Sequence, residues 1–418
     1  MRTGISAAEA LRIIQGEVRP LGAETVAISE AVGRVLCEAV VSSRLLPPAD
    51  NSAMDGYALR ADDARTASAA RPAVLPIAFE VPAGDPGTRP LPAGAVVRIF
   101  TGAPIPPGAD SVVRQEDTER QGERALIRIA PKPGDHVRRA GEDVRPGECV
   151  LEPGTRLSAS HVGMLTSLGR GFVAVHQRPR VAILSGGDEL VEPDGDVAGG
   201  RIVSSNSWSI AALCRELGAL PVYLGIAPDH PEAIERRLRA GLASDAIVSS
   251  AGVSVGDRDY ARGVFEKLGC RLLFWGVEIK PGYPLAFGSF EGRGPLVFAL
   301  PGNPVSAVVT FEQFVRPALR RMAGHTRWFR PQVEATLGEP LRKSPGRLHF
   351  VRVRLAREGG RIVARSTGNQ SSGVLRSLCE AQGLLIFPAQ ARELRTGDTV
   401  TVQVLDEDFL AADGPGFE

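Results

Sequence analysis

The chain has 418 residues, of which 43% are hydrophobic and 5% aromatic, with 49 Lys+Arg against 48 Asp+Glu and a net charge of +1. At about 100–200 residues per domain this is a multidomain protein, and its balanced charge excludes a chain built as a whole to bind nucleic acid or an anionic membrane. Its five scattered cysteines, with no C-x-x-C pair, and six histidines exclude a disulfide framework and the helical zinc signatures. No apolar run approaches a membrane span and the start lacks a signal-peptide core, so a cytoplasmic protein is expected. Lysine occurs only at Lys132, Lys267, Lys280 and Lys343, the other cations being arginine, which makes any lysine inside a motif conspicuous.

In chain order, Ser6-Ala-Ala-Glu9 before Leu11, Ile13, Ile14 and Val18 predicts a capped amphipathic helix, and a second short helix is expected over Ser29–Leu36. Alternating runs at Val74–Val81, Ala95–Phe100 and Ala125–Ile129, separated by Pro/Gly turns, predict a β-rich module; a helix follows at Ser158–Ser167. Strand-like runs (Val181–Leu184, Ile202–Ser204, Val222–Gly225, Ala246–Ser249, Leu296–Leu300) then alternate with helix-like ones (Trp208–Leu217, Pro231–Leu242, Tyr260–Lys267, Pro304–Phe314). That alternation predicts βαβ units around a mostly parallel sheet. The last stretch is strand-rich, with Gly359-Gly360 marking a hairpin between Leu348–Arg357 and Arg361–Ser366. The expected architecture is multidomain α/β plus β. It comprises a helical/linker domain (1–44 and 140–172), an inserted β-rich domain (45–139), a three-layer α/β domain (173–325), a C-terminal β-barrel (326–410) and a tail (411–418).

Chemistry concentrates in glycine-bearing loops after predicted strands: Ser185-Gly-Gly-Asp-Glu189, Ser250-Ala-Gly-Val-Ser-Val-Gly-Asp257 and Pro301-Gly-Asn-Pro304. Such loops converge at the carboxyl edge of an open parallel sheet, where backbone N–H groups receive anions. Together they point to an elongated, phosphate-bearing ligand. Asp257 and Asp259 are hard ligands suited to Mg²⁺, and Lys280, in Glu278-Ile-Lys-Pro-Gly282, offers a compact positive charge. Structural readings also exist: Asn303-Pro304 as a helix start, Asp229 with Glu232 as a capping box, and Asp188-Glu189 as a charged first turn.

Seven segments occur in an order that resembles the molybdopterin molybdenumtransferase family, which includes the E domain of gephyrin. They are Asn51-Ser-Ala-Met-Asp-Gly-Tyr-Ala58, Phe100-Thr-Gly-Ala-Pro104, Arg138-Arg-Ala-Gly-Glu-Asp143, Gly187-Asp-Glu-Leu190, Gly252-Val-Ser-Val-Gly256, Ile279-Lys-Pro-Gly282 and Leu300-Pro-Gly-Asn-Pro-Val-Ser306. The resemblance spans essentially the whole chain. It implies insertion of molybdate into adenylylated molybdopterin, with Mg²⁺-dependent release of molybdenum cofactor and AMP. It also implies a homodimer, with molybdopterin adenylyltransferase as the upstream enzyme and neither nucleic acid nor membrane as partner. Carried over residue by residue, the catalytic set is Asp55, Thr101, Asp143, Glu189, Asp229, Asp259 and Lys280, with Glu189 and Asp259 toward the metal and Asp55 and Thr101 serving the partner subunit's crevice. The ligand-binding set is Gly187, Gly252, Ser254, Gly256, Pro301, Pro304, Ser306, Arg352 and Ser372, and the molybdate pocket falls on Lys280, Ser306, Arg352 and Ser372. The chain departs from the pattern at Tyr283, where many bacterial members carry a second lysine, at Gly276, where a basic residue is usual, and at Gly186, where Thr is usual. The Gly276 and Tyr283 departures favour an alternative, a non-catalytic cofactor carrier of the same fold, with a scaffold as a further alternative that no departure favours.

Overall fold

The computed structural model describes residues 1–250, 260–292 and 294–411. Two compact units emerge: Thr25–Val32 with Glu38–Val173, and Met1–Glu24 with Gly33–Cys37 and the described chain from Ala174 on.

The second of these is built on a seven-stranded sheet whose order is Arg2–Ile5, Arg271–Val277, Ala286–Ser289, Leu296–Ala299, Ala246–Ser249, Arg180–Gly186 and Leu220–Ala227. Only Ala286–Ser289 runs antiparallel to its neighbours. Alternate side chains of the central strands enter two separate cores, as strand pleating requires. Val181, Ile183, Val248 and Phe298 join helices Ala7–Glu17 and Ser205–Glu216 on one face, while Ala182, Leu184, Ile247 and Val297 join helices Pro231–Gly241 and Tyr260–Lys267 on the other. The three-layer α/β expectation is met.

The predicted first helix forms over Ala7–Glu17, and its Ser6 hydroxyl accepts the Glu9 N–H at 3.2 Å. Glu9 does not complete the capping box; its carboxylate pairs with Arg2 at 2.5 Å. The helix buries Ala10 and Ile14 against the α/β sheet, and Arg2–Ile5 lies parallel to Arg271–Val277. The first 24 residues thus pack with the α/β unit, because the apolar stripe finds its complement on that sheet. The expected helix over Ser29–Leu36 shrinks to one 3-10 turn, Ile28–Glu30. Ile202–Val203 makes only a two-residue ladder with Leu190–Val191, outside the main sheet.

After the sheet, Pro304–Thr310, a π turn Phe311–Val315 and Arg316–Met322 form one continuous buried run. Glu312, on the π turn, receives both Nε and an Nη of Arg330 at 2.9 Å, with Arg316 at 3.9 Å. Strands Gln332–Leu337, Leu348–Glu358, Arg361–Ser366, Gly383–Phe387 and Thr399–Val404 then close a barrel around Leu337, Val351, Val353 and Leu385. The Gly359-Gly360 hairpin forms as expected.

In the other unit, a six-stranded sheet orders as Ser111–Arg114, Gly56–Leu59, Val96–Ile99, Ala73–Val81, Arg124–Ile127 and Thr118–Gln121. Helix Ala159–Ser167 begins at Ser158, where the sequence places it.

Removing one member of a buried ion pair strands the other charge, at a cost of about 3–5 kcal/mol. Glu312→Ala should therefore lower unfolding stability by that order in urea titration, because Glu312 and Arg330 are both at least nine-tenths buried. A loss below about 1 kcal/mol would mean the pair does not anchor the run.

Candidate functional site

Register sets the site. Leu184, Ser249 and Ala299 are lateral neighbours on three parallel strands, so the loops that follow leave the sheet together. Ser250 N–H donates to Leu184 O at 2.9 Å and Leu300 N–H to Ser249 O at 2.7 Å, binding the loop bases to one another. Beneath them Ser185, buried, holds the hydroxyls of Ser207, Ser250 (2.8 Å) and Ser204 (3.1 Å) in a cluster that sequence reading missed. Isolated serines carry no sequence signal; only the register assembles them.

In the first loop Gly187 adopts φ +146°, and a Cβ there would meet the Glu189 carboxylate at 2.6 Å. Glycine is what lets Glu189 fold back against the loop. Asp188 accepts the Asp229 N–H at 3.1 Å, so two carboxylate-bearing loops are joined. Helix Pro231–Gly241 starts from His230, so Asp229 is not its cap, and no helix starts at Asp188-Glu189. Gly252, Ser254, Gly256, Asp257 and Asp259 lie outside the described residues.

In the third loop Asn303 occupies the N-cap position without a side-chain cap bond, and Pro304 opens the helix. Pro301 is buried, Ser306 is buried one turn on, and Val305 N–H donates to Ser372 O at 3.1 Å. Arg352 is fully buried; its Nε donates to Ser377 at 3.0 Å and an Nη to Ser371 O at 3.1 Å, while its other terminal nitrogen has no partner among the described residues. Burial pushes the Arg352 guanidinium down to about 10. The 371–372 backbone thus accepts from both the Arg352 guanidinium and the Val305 N–H of the helix start.

Lys280 lines a cavity of about 340 Å³ with Glu278, Lys343, Arg347 and His349. The Gly276 and Tyr283 departures meet each other: a Cβ at Gly276 (φ +81°) would lie 3.2 Å from the Tyr283 ring, which packs edge-on to Trp275 and under the Arg347 guanidinium.

In the other unit, Thr101 donates both its N–H (2.7 Å) and its hydroxyl (2.8 Å) to one oxygen of Asp55. The backbone bond first, then the hydroxyl, holds the Asp55 carboxyl below its ordinary range. Asp143 is exposed, its N–H bound to Leu46 O at 3.0 Å; nearby, Asp50 takes the Ala140 N–H and pairs with Arg139. Among the described residues no three His, Cys, Asp or Glu side chains converge as a metal centre.

Thr101→Val should raise the Asp55 carboxyl in an NMR titration by removing the hydroxyl donor while leaving the N–H; an unmoved titration would contradict the shared bond. His349 generates a second expectation. Burial first, then Lys280, Arg352 and Lys343, push its imidazole from 6.5 down to about 4. Between these values the unfolded chain takes up a proton that the folded chain refuses, so stability falls as pH drops from 6.5 to 4, by about 3 kcal/mol, then levels off. His349→Gln should remove that part of the acid loss in denaturant titrations across this window; an unchanged slope would contradict it.

Residues 5–169 match the MoeA N-terminal region (domain I and II), 182–321 a probable molybdopterin binding domain, and 334–405 the MoeA C-terminal region (domain IV). The molybdopterin molybdenumtransferase of Nostoc sp. is 36% identical over 91% of this chain and 88% of its own, and molybdopterin molybdenumtransferase 2 of Mycobacterium tuberculosis 37% identical over 95% and 98%. The molybdopterin biosynthesis moeA protein of Pyrococcus horikoshii superposes with a TM-score of 0.81 at 32% identity, covering 96% of this chain and all of that one. No helix among the described residues is long and apolar enough to cross a membrane. With the three-layer sheet, the closed barrel and matches along nearly the whole chain, this protein belongs to the molybdopterin molybdenumtransferase family, transferases of molybdenum cofactor biosynthesis.

Proposed function

We propose that the chain inserts molybdate-derived molybdenum into adenylylated molybdopterin and releases molybdenum cofactor and AMP. The observation that carries this reading is the lateral alignment of the strand ends Leu184, Ser249 and Ala299 on one sheet edge, with the Asp188–Asp229 loop pair beyond one of them and the buried Arg352 tied to the 371–372 backbone near the helix that follows another. Backbone N–H groups at such an edge suit the phosphates of a pterin–nucleotide anhydride. Glu189, with Asp188 and Asp229 adjacent, offers the small number of hard carboxylate oxygens that Mg²⁺ takes when phosphate oxygens complete its shell, and Asp259 is assigned to the same task. Mg²⁺ held by these carboxylates would supply charge neutralisation during phosphoanhydride cleavage.

The protein's own groups position the reactants. Arg352, Ser306 and Ser372 would hold a tetrahedral oxyanion through charged and hydroxyl donors, and Lys280 adds a point charge. Asp55, kept ionised by Thr101, would complete the crevice of a partner copy in a cytoplasmic homodimer, with Asp143 contributing from the same motif region. Molybdopterin adenylyltransferase would supply the substrate. The packing of Tyr283 onto Gly276 favours the carrier reading in one respect, since it fills space where a basic side chain would otherwise extend.

Purified protein given adenylylated molybdopterin, Mg²⁺ and molybdate should release AMP in step with cofactor formed. Lys280→Ala should weaken molybdate dependence about ten-fold or more, while nucleotide binding stays within about two-fold. Tight pterin binding with no AMP release would instead establish a carrier.

A further inference from the structure

Arg98 lies near the end of strand Val96–Ile99, just ahead of Thr101, and the proposed function gives it no task. The antiparallel ladder between Gly56–Leu59 and Val96–Ile99 sets Tyr57 directly opposite Arg98, so the two side chains share a face of the sheet. The Arg98 guanidinium accordingly lies over the buried Tyr57 ring, 5.2 Å from its centroid, and over the Phe100 ring at 5.1 Å. A cation against two aromatic faces is attracted and held in place by both.

Its terminal nitrogens reach two different segments. One donates to Gly56 O at 3.3 Å and the other to Gln115 Oε1 at 2.8 Å. Gln115 in turn donates its N–H to Asp55 O at 2.9 Å. The carbonyls of Asp55 and Gly56 are therefore both fixed, one through Gln115 and one by Arg98 itself. The chain here has no slack, because a Cβ at Gly56 would lie 1.9 Å from Val113 O.

The Asp55 carboxylate meanwhile keeps one oxygen open. Both Thr101 donors go to Oδ1. Arg114, on the adjacent strand, is taken by Asp117 at 2.7 Å. The Thr101 N–H and then its hydroxyl lower the Asp55 carboxyl, burial raises it, and the Arg98 charge lowers it in turn. Arg98 thus acts on Asp55 by charge while its own donors serve Gly56 and Gln115.

We propose that Arg98 is a positioning residue for the Asp55–Thr101 pair: its fork ties the Asp55 loop to Gln115, and its charge, held over Tyr57 and Phe100, keeps the carboxylate ionised with Oδ2 presented to the ligand. The inference rests on the proposed function, in which Asp55 completes the crevice of a partner copy, and it adds a residue to that task. Lysine could supply the charge but neither the planar fork nor the stacking.

Three readouts on the full chain test this: the Asp55 carboxyl titration by NMR, hydrogen exchange at the Thr101 N–H, and AMP release from adenylylated molybdopterin with Mg²⁺ and molybdate. Arg98→Met should raise the Asp55 titration, speed exchange at Thr101 and slow AMP release by about ten- to a hundred-fold. Arg98→Lys should keep the titration low yet recover only part of the turnover, and it carries the test if Arg98→Met loses its fold by circular dichroism. Coexpression adds a readout that a merely structural role would not give. Arg98→Met paired with Glu189→Gln should regain about a quarter of wild-type activity, since mixed dimers keep one intact crevice, whereas Arg98→Met paired with Asp55→Asn should regain none. An unmoved Asp55 titration in Arg98→Met, wild-type turnover in either Arg98 variant, or rescue by Asp55→Asn would overturn the proposal. Failure of the control pair Asp55→Asn with Glu189→Gln to regain activity, or no AMP release by the wild type, would remove the shared-crevice reading instead, and the titration and exchange then decide the role of Arg98.

Discussion

The lateral register of three parallel strands governs what this protein can do. Arg180–Gly186, Ala246–Ser249 and Leu296–Ala299 lie side by side and end together, which forces Gly187, Ser250 and Leu300 onto one edge. A slip of one residue would send Ala182, Leu184, Ile247 and Val297 into the opposite core and dismantle both faces at once. The helices covering each face make such a slip prohibitive, so the loop bases are as fixed as the core itself. A buried serine cluster and backbone bonds between neighbouring loops extend that order toward the ligand.

Charge is distributed by the same framework into places with distinct tasks. Acidic side chains gather where Asp188 meets Asp229, while Arg352 sits buried with its donors on Ser377 and the Ser371 carbonyl. The run is held from below by the Glu312–Arg330 pair, linking the first barrel-side residues to the sheet unit. Lys280, one strand position away from the α/β core residue Ile279, turns to the other side and joins Lys343 and His349. Burial first, and then the Lys280, Arg352 and Lys343 charges that a net charge of +1 conceals, push the His349 imidazole down to about 4.

Local signals read well from the amino-acid order. Ser6 ahead of an apolar stripe marked helix Ala7–Glu17, Gly359-Gly360 marked a hairpin, and alternating strand and helix patterns marked the three-layer sheet. Pairings between distant segments did not. Nothing within Arg2–Ile5 announces that it will lie beside Arg271–Val277. The pairing of Lys280 with His349 is of the same kind. A single histidine in an alternating strand looks like an interior residue until its neighbour across the ladder is known. For the site, motif order named Asp55 and Thr101, which share a bond, and Arg352 and Ser372, where the 371–372 backbone accepts both the Arg352 guanidinium and the Val305 N–H; Lys280 lies across the ladder from His349, on which Arg352 also acts.

The central claim is that function resides at the carboxyl edge of these strands. A crystal structure of the protein with adenylylated molybdopterin tests it most directly. The account predicts the phosphates of the ligand against the Gly187–Glu189 and Pro301–Pro304 loops, with the Glu189 carboxylate on their metal-facing side. Phosphates found at the opposite edge of the sheet, or held only by the six-stranded unit, would contradict it.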